Sequence, residues 1–116
     1  MPKTLVRALR LPFLSASVLP FLFGSLIERT HFNPWGLVWG LCTAVFTHLS
    51  ANLINDYADS KSGADWKDRS FYKFFGGSKL IQEGVLSENF YFRLAVFLAG
   101  ASVLSVALLA RSMKSY

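Results

Sequence analysis

Asn52, Asn55, Asp56 and Asp59 stand at i, i+3, i+4 and i+7, where a long apolar run gives way to polar sequence. If that run is helical, the four side chains leave one face of the helix, and His48 lies one turn earlier on the same face. Carboxylates at the end of a membrane-length helix carry two costs. Burial disfavours their charge, and the helix C-terminus is the negative end of its dipole. Asp56 and Asp59 also repel each other. A hard divalent cation reverses each penalty. Mg²⁺ prefers oxygen ligands, retains several waters and commonly binds through one or two carboxylates plus the phosphates of a ligand. Asparagine side chains supply amide oxygens to a metal or amide donors to a phosphate. The stripe therefore points to a phosphorylated ligand held through Mg²⁺. Asn55, Asp56 and Asp59 are its candidate metal ligands, and Asn52 and Asn55 its candidate phosphate contacts. Asp65 joins them if Gly63 ends the helix in a left-handed turn and the chain folds back. Lys79 follows Gly76-Gly77-Ser78, which reads as a flexible lead to a basic group aimed at an anion.

Blander readings stand beside these. One aspartate at the end of a span is usually interfacial, a lone loop lysine is usually solvated, and a lone His48 is as readily a hydrogen-bonded packing residue as a ligand. The four-residue spacing on one face is what separates the stripe from that background. Phe71, Tyr72, Phe74 and Phe75 read first as packing or membrane contact, although aromatic faces also stabilise cations.

Three apolar runs must position these groups. The expected helices cover about 5–27, 34–59 and 90–110, with a polar loop at about 60–89. A hydrocarbon core of about 30 Å needs roughly 20 apolar residues, so the first run is read back from Leu11 to Leu5. That places Arg7 and Arg10 where they can snorkel to the interface. Pro12 suits a helix start or a bend, and Pro20 is expected to kink this helix. Asn33-Pro34 reads as a helix start and Ser87-Glu88 as another. Trp35 and Trp39 suit an interfacial aromatic belt. Gly36 and Gly40 let another helix approach closely. A loop of this length is usually functional or disordered, and its aromatic and apolar content suggests a folded cap. A basic start followed by an apolar run also fits a signal peptide, but no small-residue cleavage site closes it, so it is read as a retained span.

Composition agrees with the membrane class. Hydrophobic residues make up 53% of the 116, charged residues only 16%, and mean hydropathy is +0.37. The net charge of +5 would suggest nucleic acid in a soluble domain. Here the cations flank apolar runs, so membrane lipid is the expected partner and nucleic acid is not. Lys3, Arg7, Arg10, Lys61, Lys67, Arg69, Lys73, Lys79 and Arg93 fall on one side of the expected topology, against Arg29, Arg111 and Lys114 on the other. The bias predicts a multi-pass protein of the inner or plasma membrane, with its N-terminus and aspartate-rich loop cytoplasmic. Cys42 has no partner for an intrachain disulfide.

Asn52-x-x-Asn55-Asp56-Tyr57-x-Asp59-x-x-x-Gly63-x-Asp65 resembles the first aspartate-rich motif of the UbiA superfamily of intramembrane prenyltransferases, and most closely its 1,4-dihydroxy-2-naphthoate polyprenyltransferase branch. The segment from Gly76-Gly77-Ser78-Lys79 to Ser87 resembles the basic segment that follows the motif there. Arg10-Leu11-Pro12-Phe13, Leu19-Pro20 and Gly24 are similar to the first helix. The resemblance implies an all-α, multi-pass membrane bundle in which two aspartate-rich motifs hold Mg²⁺ and an isoprenoid diphosphate. It implies transfer of the polyprenyl group to an aromatic acceptor, with loss of the acceptor's carboxyl group, in menaquinone biosynthesis. By position, Asn52, Asn55, Asp56, Asp59 and Asp65 would form the first metal–diphosphate site, with Asp56, Asp59 and Lys79 in catalytic roles. Lys79 would contact diphosphate and Arg10 would lie near the cavity mouth. Such a bundle needs on the order of 280 residues, and no Asp or Glu follows Glu88 here. The expectation is therefore the N-terminal part of such a domain, about three membrane helices, inactive by itself.

Other classes remain in view. An ion-coupled transporter fragment would place its polar stripe nearer mid-membrane with no basic cap. A non-catalytic membrane protein leaves the Asn/Asp spacing unexplained. A soluble prenyl diphosphate synthase would not be apolar all round its helices.

Overall fold

The computed structural model describes residues 2–27, 30–66 and 77–114, apart from the side chain of Asp65. The regular secondary structure among these residues is all helical, with no strand. Helix α1 is Pro2–Ala8, α2 is Ser15–Ile27, α3 is Pro34–Ser62 and α4 is Glu88–Met113. Short 3₁₀ turns lie at Leu11–Leu14 and Ala64–Trp66. Two helices, α3 and α4, are long and apolar enough to cross a membrane, and the bent pair from Pro2 to Ile27 makes a third if it is one span.

The expected first helix is broken rather than continuous. Pro2–Ala8 and Leu11–Ile27 meet at 49°. Arg10 takes a left-handed conformation (φ 50°, ψ 45°), and Pro12 follows at the start of the 3₁₀ turn. A left-handed residue ends a helix, and a proline has no amide to carry the ladder on. Pro12, read as a helix start or a bend, is at this break, whereas Pro20, where a kink was expected, lies inside α2 with no interruption of the helix.

Local capping accounts for the other boundaries. The Asn33 side chain accepts a hydrogen bond from the Gly36 amide (3.0 Å), with Pro34 in the first turn. Helix α3 continues to Ser62, beyond the expected 59, and stops at Gly63 (φ 83°). Ser87 caps α4 by accepting from the Phe90 amide (3.1 Å), so this helix starts at Glu88 rather than Phe90.

Helices α3 and α4 form an antiparallel pair, stitched by polar side chains. Thr47 and Ser102 hydroxyls lie 2.6 Å apart, the Ser50 hydroxyl donates to the Ala95 carbonyl (2.9 Å), and the Ser60 hydroxyl donates to Glu88 (2.6 Å). Such bonds are a main source of specificity where lipid removes the hydrophobic drive between helices. Gly40 is buried against α2, where an added Cβ would sit 2.6 Å from the Phe21 ring. The core gathers at the polar end of the pair. Leu49 and Leu53 from α3, Tyr91, Ala95 and Leu98 from α4, Leu80 and Ile81 from the loop, and Ala8 from α1 form one buried cluster. Outward-facing Phe97, Val103 and Leu104 are well exposed, as lipid contact requires.

Candidate functional site

Helix α3 has 29 residues and is therefore about 43 Å long at 1.5 Å per residue. A hydrocarbon core of about 30 Å is crossed in roughly 20 residues. Counted from Pro34, a stretch of that length ends at Leu53, and Asn55, Asp56 and Asp59 follow it on the same helix. The loop 77–87 and the start of α4 return to this same end.

The stripe divides into two i, i+4 pairs. Asn52 and Asp56 turn inward toward the break between α1 and α2. The Asn52 amide donates to the Leu9 carbonyl (3.3 Å), and the Arg10 guanidinium forms an ion pair with Asp56. Asp56 is only 2% exposed. Its second oxygen accepts from the Ser78 backbone amide (3.2 Å). Asn55 and Asp59 turn outward, and the Asn55 amide donates to Asp59 (3.2 Å). The spacing expected on one face is present, but the two pairs have different surroundings.

Three segments distant in sequence meet at Asp56. Arg10 comes from the helix break, 46 residues earlier, and Ser78 from the loop, 22 residues later. Ser78 is held through all of its polar groups. Besides the amide, its carbonyl accepts from Arg7 Nε (2.8 Å) and its hydroxyl lies 2.5 Å from the Tyr91 hydroxyl. Arg7 also pairs with Glu83 (2.6 Å). The lead to Lys79 is thus fastened rather than flexible. Residues 77–82 are buried, and Lys79 itself has φ 63°. Arg10 and Lys79 are the two non-glycine residues with positive φ among the described residues. Both are cations, and both adjoin the Asp56 network. Backbone of this kind persists only where its surroundings hold it, and it gathers at functional sites.

The remaining expected residues fall apart from this cluster or outside it. His48 shares a hydrogen bond with Ser17 of α2 (2.7 Å between Nδ1 and Oγ) and does not join the stripe. Its Nε2 is buried without a partner among the described residues. Asp65 lies in the turn after Gly63, and its side chain is outside the described residues, as are Lys67, Arg69, Lys73 and the aromatic run 71–75. Lys61 pairs with Glu88 (2.8 Å) and fastens α3 to α4. Sequence reasoning passed over Ser78 and Tyr91. The signal for Tyr91 was available: a tyrosine inside an apolar span needs a partner for its hydroxyl.

Among the described residues, no three His, Cys, Asp or Glu side chains converge closely enough to hold a metal ion. Asn55 and Asp59 nonetheless fit Mg²⁺ in kind, as adjacent hard oxygen donors at a polar helix end. A metal there would take its other ligands from phosphate and water, its usual habit. Asp56 fits less well as a direct ligand, because Arg10 and Ser78 already engage both of its oxygens. A cavity of about 280 Å³ at the opposite end, lined by Phe21, Gly24, His31 and Gly36 among others, has no acidic residue among its described lining residues. In comparisons with known proteins, no family model, no curated protein and no solved structure matches this chain.

Proposed function

We propose that this chain is a multi-pass membrane protein that forms the first aspartate-rich half of a Mg²⁺–isoprenoid diphosphate site. Its reaction is prenyl transfer to an aromatic acceptor, which the resemblance to the UbiA superfamily makes 1,4-dihydroxy-2-naphthoate in menaquinone biosynthesis. The observation that carries the reading is the meeting of Arg10, Asp56 and the Ser78-Lys79 strap at the end of a membrane-length helix, beside the outward pair Asn55 and Asp59. Carboxylate, amide and cation are together where an amphiphile would present its charged head, with apolar helix surface below for its hydrocarbon tail.

In this reading, Asn55 and Asp59 hold the metal side of the ligand. Arg10 and Lys79 supply positive charge to the phosphates, and Asp56 orients Arg10. Bound Mg²⁺ would neutralise the diphosphate and assist its departure. The Lys/Arg bias puts this end in the cytoplasm. A second acidic set is needed to complete such a site, so the chain by itself binds without turnover.

Calorimetry on the chain in nanodiscs tests this. Farnesyl diphosphate should bind only with Mg²⁺, and Asp59→Asn should weaken binding at least about tenfold while helical content is unchanged. Binding that is indifferent to Mg²⁺ or to Asp59→Asn would overturn the reading. Full prenyl transfer by the chain alone would overturn the half-site assignment.

A further inference from the structure

Ser78 is 1% exposed and Tyr91 0%. Ser78 joins three elements at once: its carbonyl accepts from Arg7 of α1, its amide donates to Asp56 of α3, and its hydroxyl bonds Tyr91 of α4. The Tyr91 ring is buried in the same apolar cluster as Leu53, Leu80 and Ile81, so its position is set by packing and its hydroxyl has one bearing. The residue that follows Ser78 is Lys79, in the left-handed region. The direction in which the chain leaves Ser78 therefore sets where Lys79 stands, and the Ser78 amide sets one oxygen of Asp56.

We infer that Tyr91, acting through Ser78, is a positioning residue for the diphosphate site. It holds the strap so that Lys79 and the Asp56–Arg10 pair keep a fixed relation to one another. The inference rests on the diphosphate reading above and adds a residue outside the aspartate motif and outside the basic segment. Tyr91 touches no ligand. Removing its hydroxyl leaves the ring and the core in place but frees the Ser78 side chain. Lys79 and Asp56 then lose a common reference, and ligand affinity falls although the fold persists.

The test compares the chain with its Tyr91→Phe, Ser78→Ala and Ser60→Ala variants in nanodiscs. Ser60→Ala is the structural control, because it removes an α3–α4 hydrogen bond of similar length, to Glu88, without touching Ser78. Binding of farnesyl diphosphate with Mg²⁺ is measured by calorimetry, and helicity and thermal unfolding by circular dichroism. Tyr91→Phe should weaken binding about tenfold, the size expected for one lost hydrogen bond. Ser60→Ala should bind as the parent does, even where both variants unfold at similarly lowered temperatures. The double variant Ser78→Ala/Tyr91→Phe should be no weaker than the weaker single one, since both break the same link. Should Tyr91→Phe fail to fold, Ser78→Ala carries the same comparison. Parent-like binding by the variant, or an equal loss in Ser60→Ala, overturns the positioning role alone. Absence of Mg²⁺-dependent binding in the parent overturns the diphosphate reading and this role with it.

Discussion

Asp56 shows how one side chain can carry two demands. Its spacing in the stripe is the one expected of a metal ligand, yet its oxygens are engaged by Arg10 and the Ser78 amide in a nearly sealed pocket. Breaking a buried ion pair from one side leaves an uncompensated charge, at a cost of roughly 3–5 kcal/mol, whereas replacing both partners by apolar groups is often neutral. Arg10→Met should therefore destabilise the chain by about that amount, and Arg10→Met/Asp56→Asn should recover most of it, because asparagine is uncharged and still accepts from the Ser78 amide. Chemical unfolding in detergent micelles measures both. If the double variant is as unstable as Arg10→Met, the pair is not the clasp it looks to be. The two left-handed cations, Arg10 and Lys79, belong to the same account, because their backbone conformations need support that the Asp56 network provides.

At the scale of elements, much was legible because the relevant physics is local. Asn33-Pro34 opens α3, Gly63 closes it and Ser87 opens α4, each through a bond within a few residues. The first helix was legible only in part. Pro12 and Pro20 both carried a sequence signal for a bend, and the chain bends only at the first, beside Arg10, where the turn is held by an ion pair to a residue far along the chain. The Gly36/Gly40 pair was legible as a close-approach face, and Gly40 is where Phe21 of α2 comes in. Gly40→Leu should displace Phe21 and part α2 from α3. On a Cys42→Ser background, cysteines substituted at Ser17 and His48, whose side chains are hydrogen-bonded at 2.7 Å, should form a disulfide that Gly40→Leu abolishes. An undiminished cross-link would mean that Gly40 does not set this approach.

Across the whole molecule, polarity is concentrated at one end. The stripe, the strap, the Arg7–Glu83 and Lys61–Glu88 pairs and the buried core all lie where α3 ends and α4 begins. The opposite end holds the α2–α3 connection. With the Lys/Arg bias setting orientation, cysteines substituted at Asn89 and at Thr30, both exposed positions, should react with a membrane-impermeant maleimide from opposite faces. The one at Asn89 should react from the cytoplasmic face. Labelling of both from one face would remove the proposed topology. The sequence alone determined the helical class, two of the membrane-length helices, their caps and the i, i+3, i+4, i+7 stripe, because each follows from hydropathy and hydrogen bonding within a few turns. Only the tertiary structure decided that the stripe splits, that Asp56 turns to Arg10, and that Ser78 and Tyr91 hold the strap. Those outcomes depend on which distant groups arrive to satisfy a buried charge, and helical spacing carries no information about that.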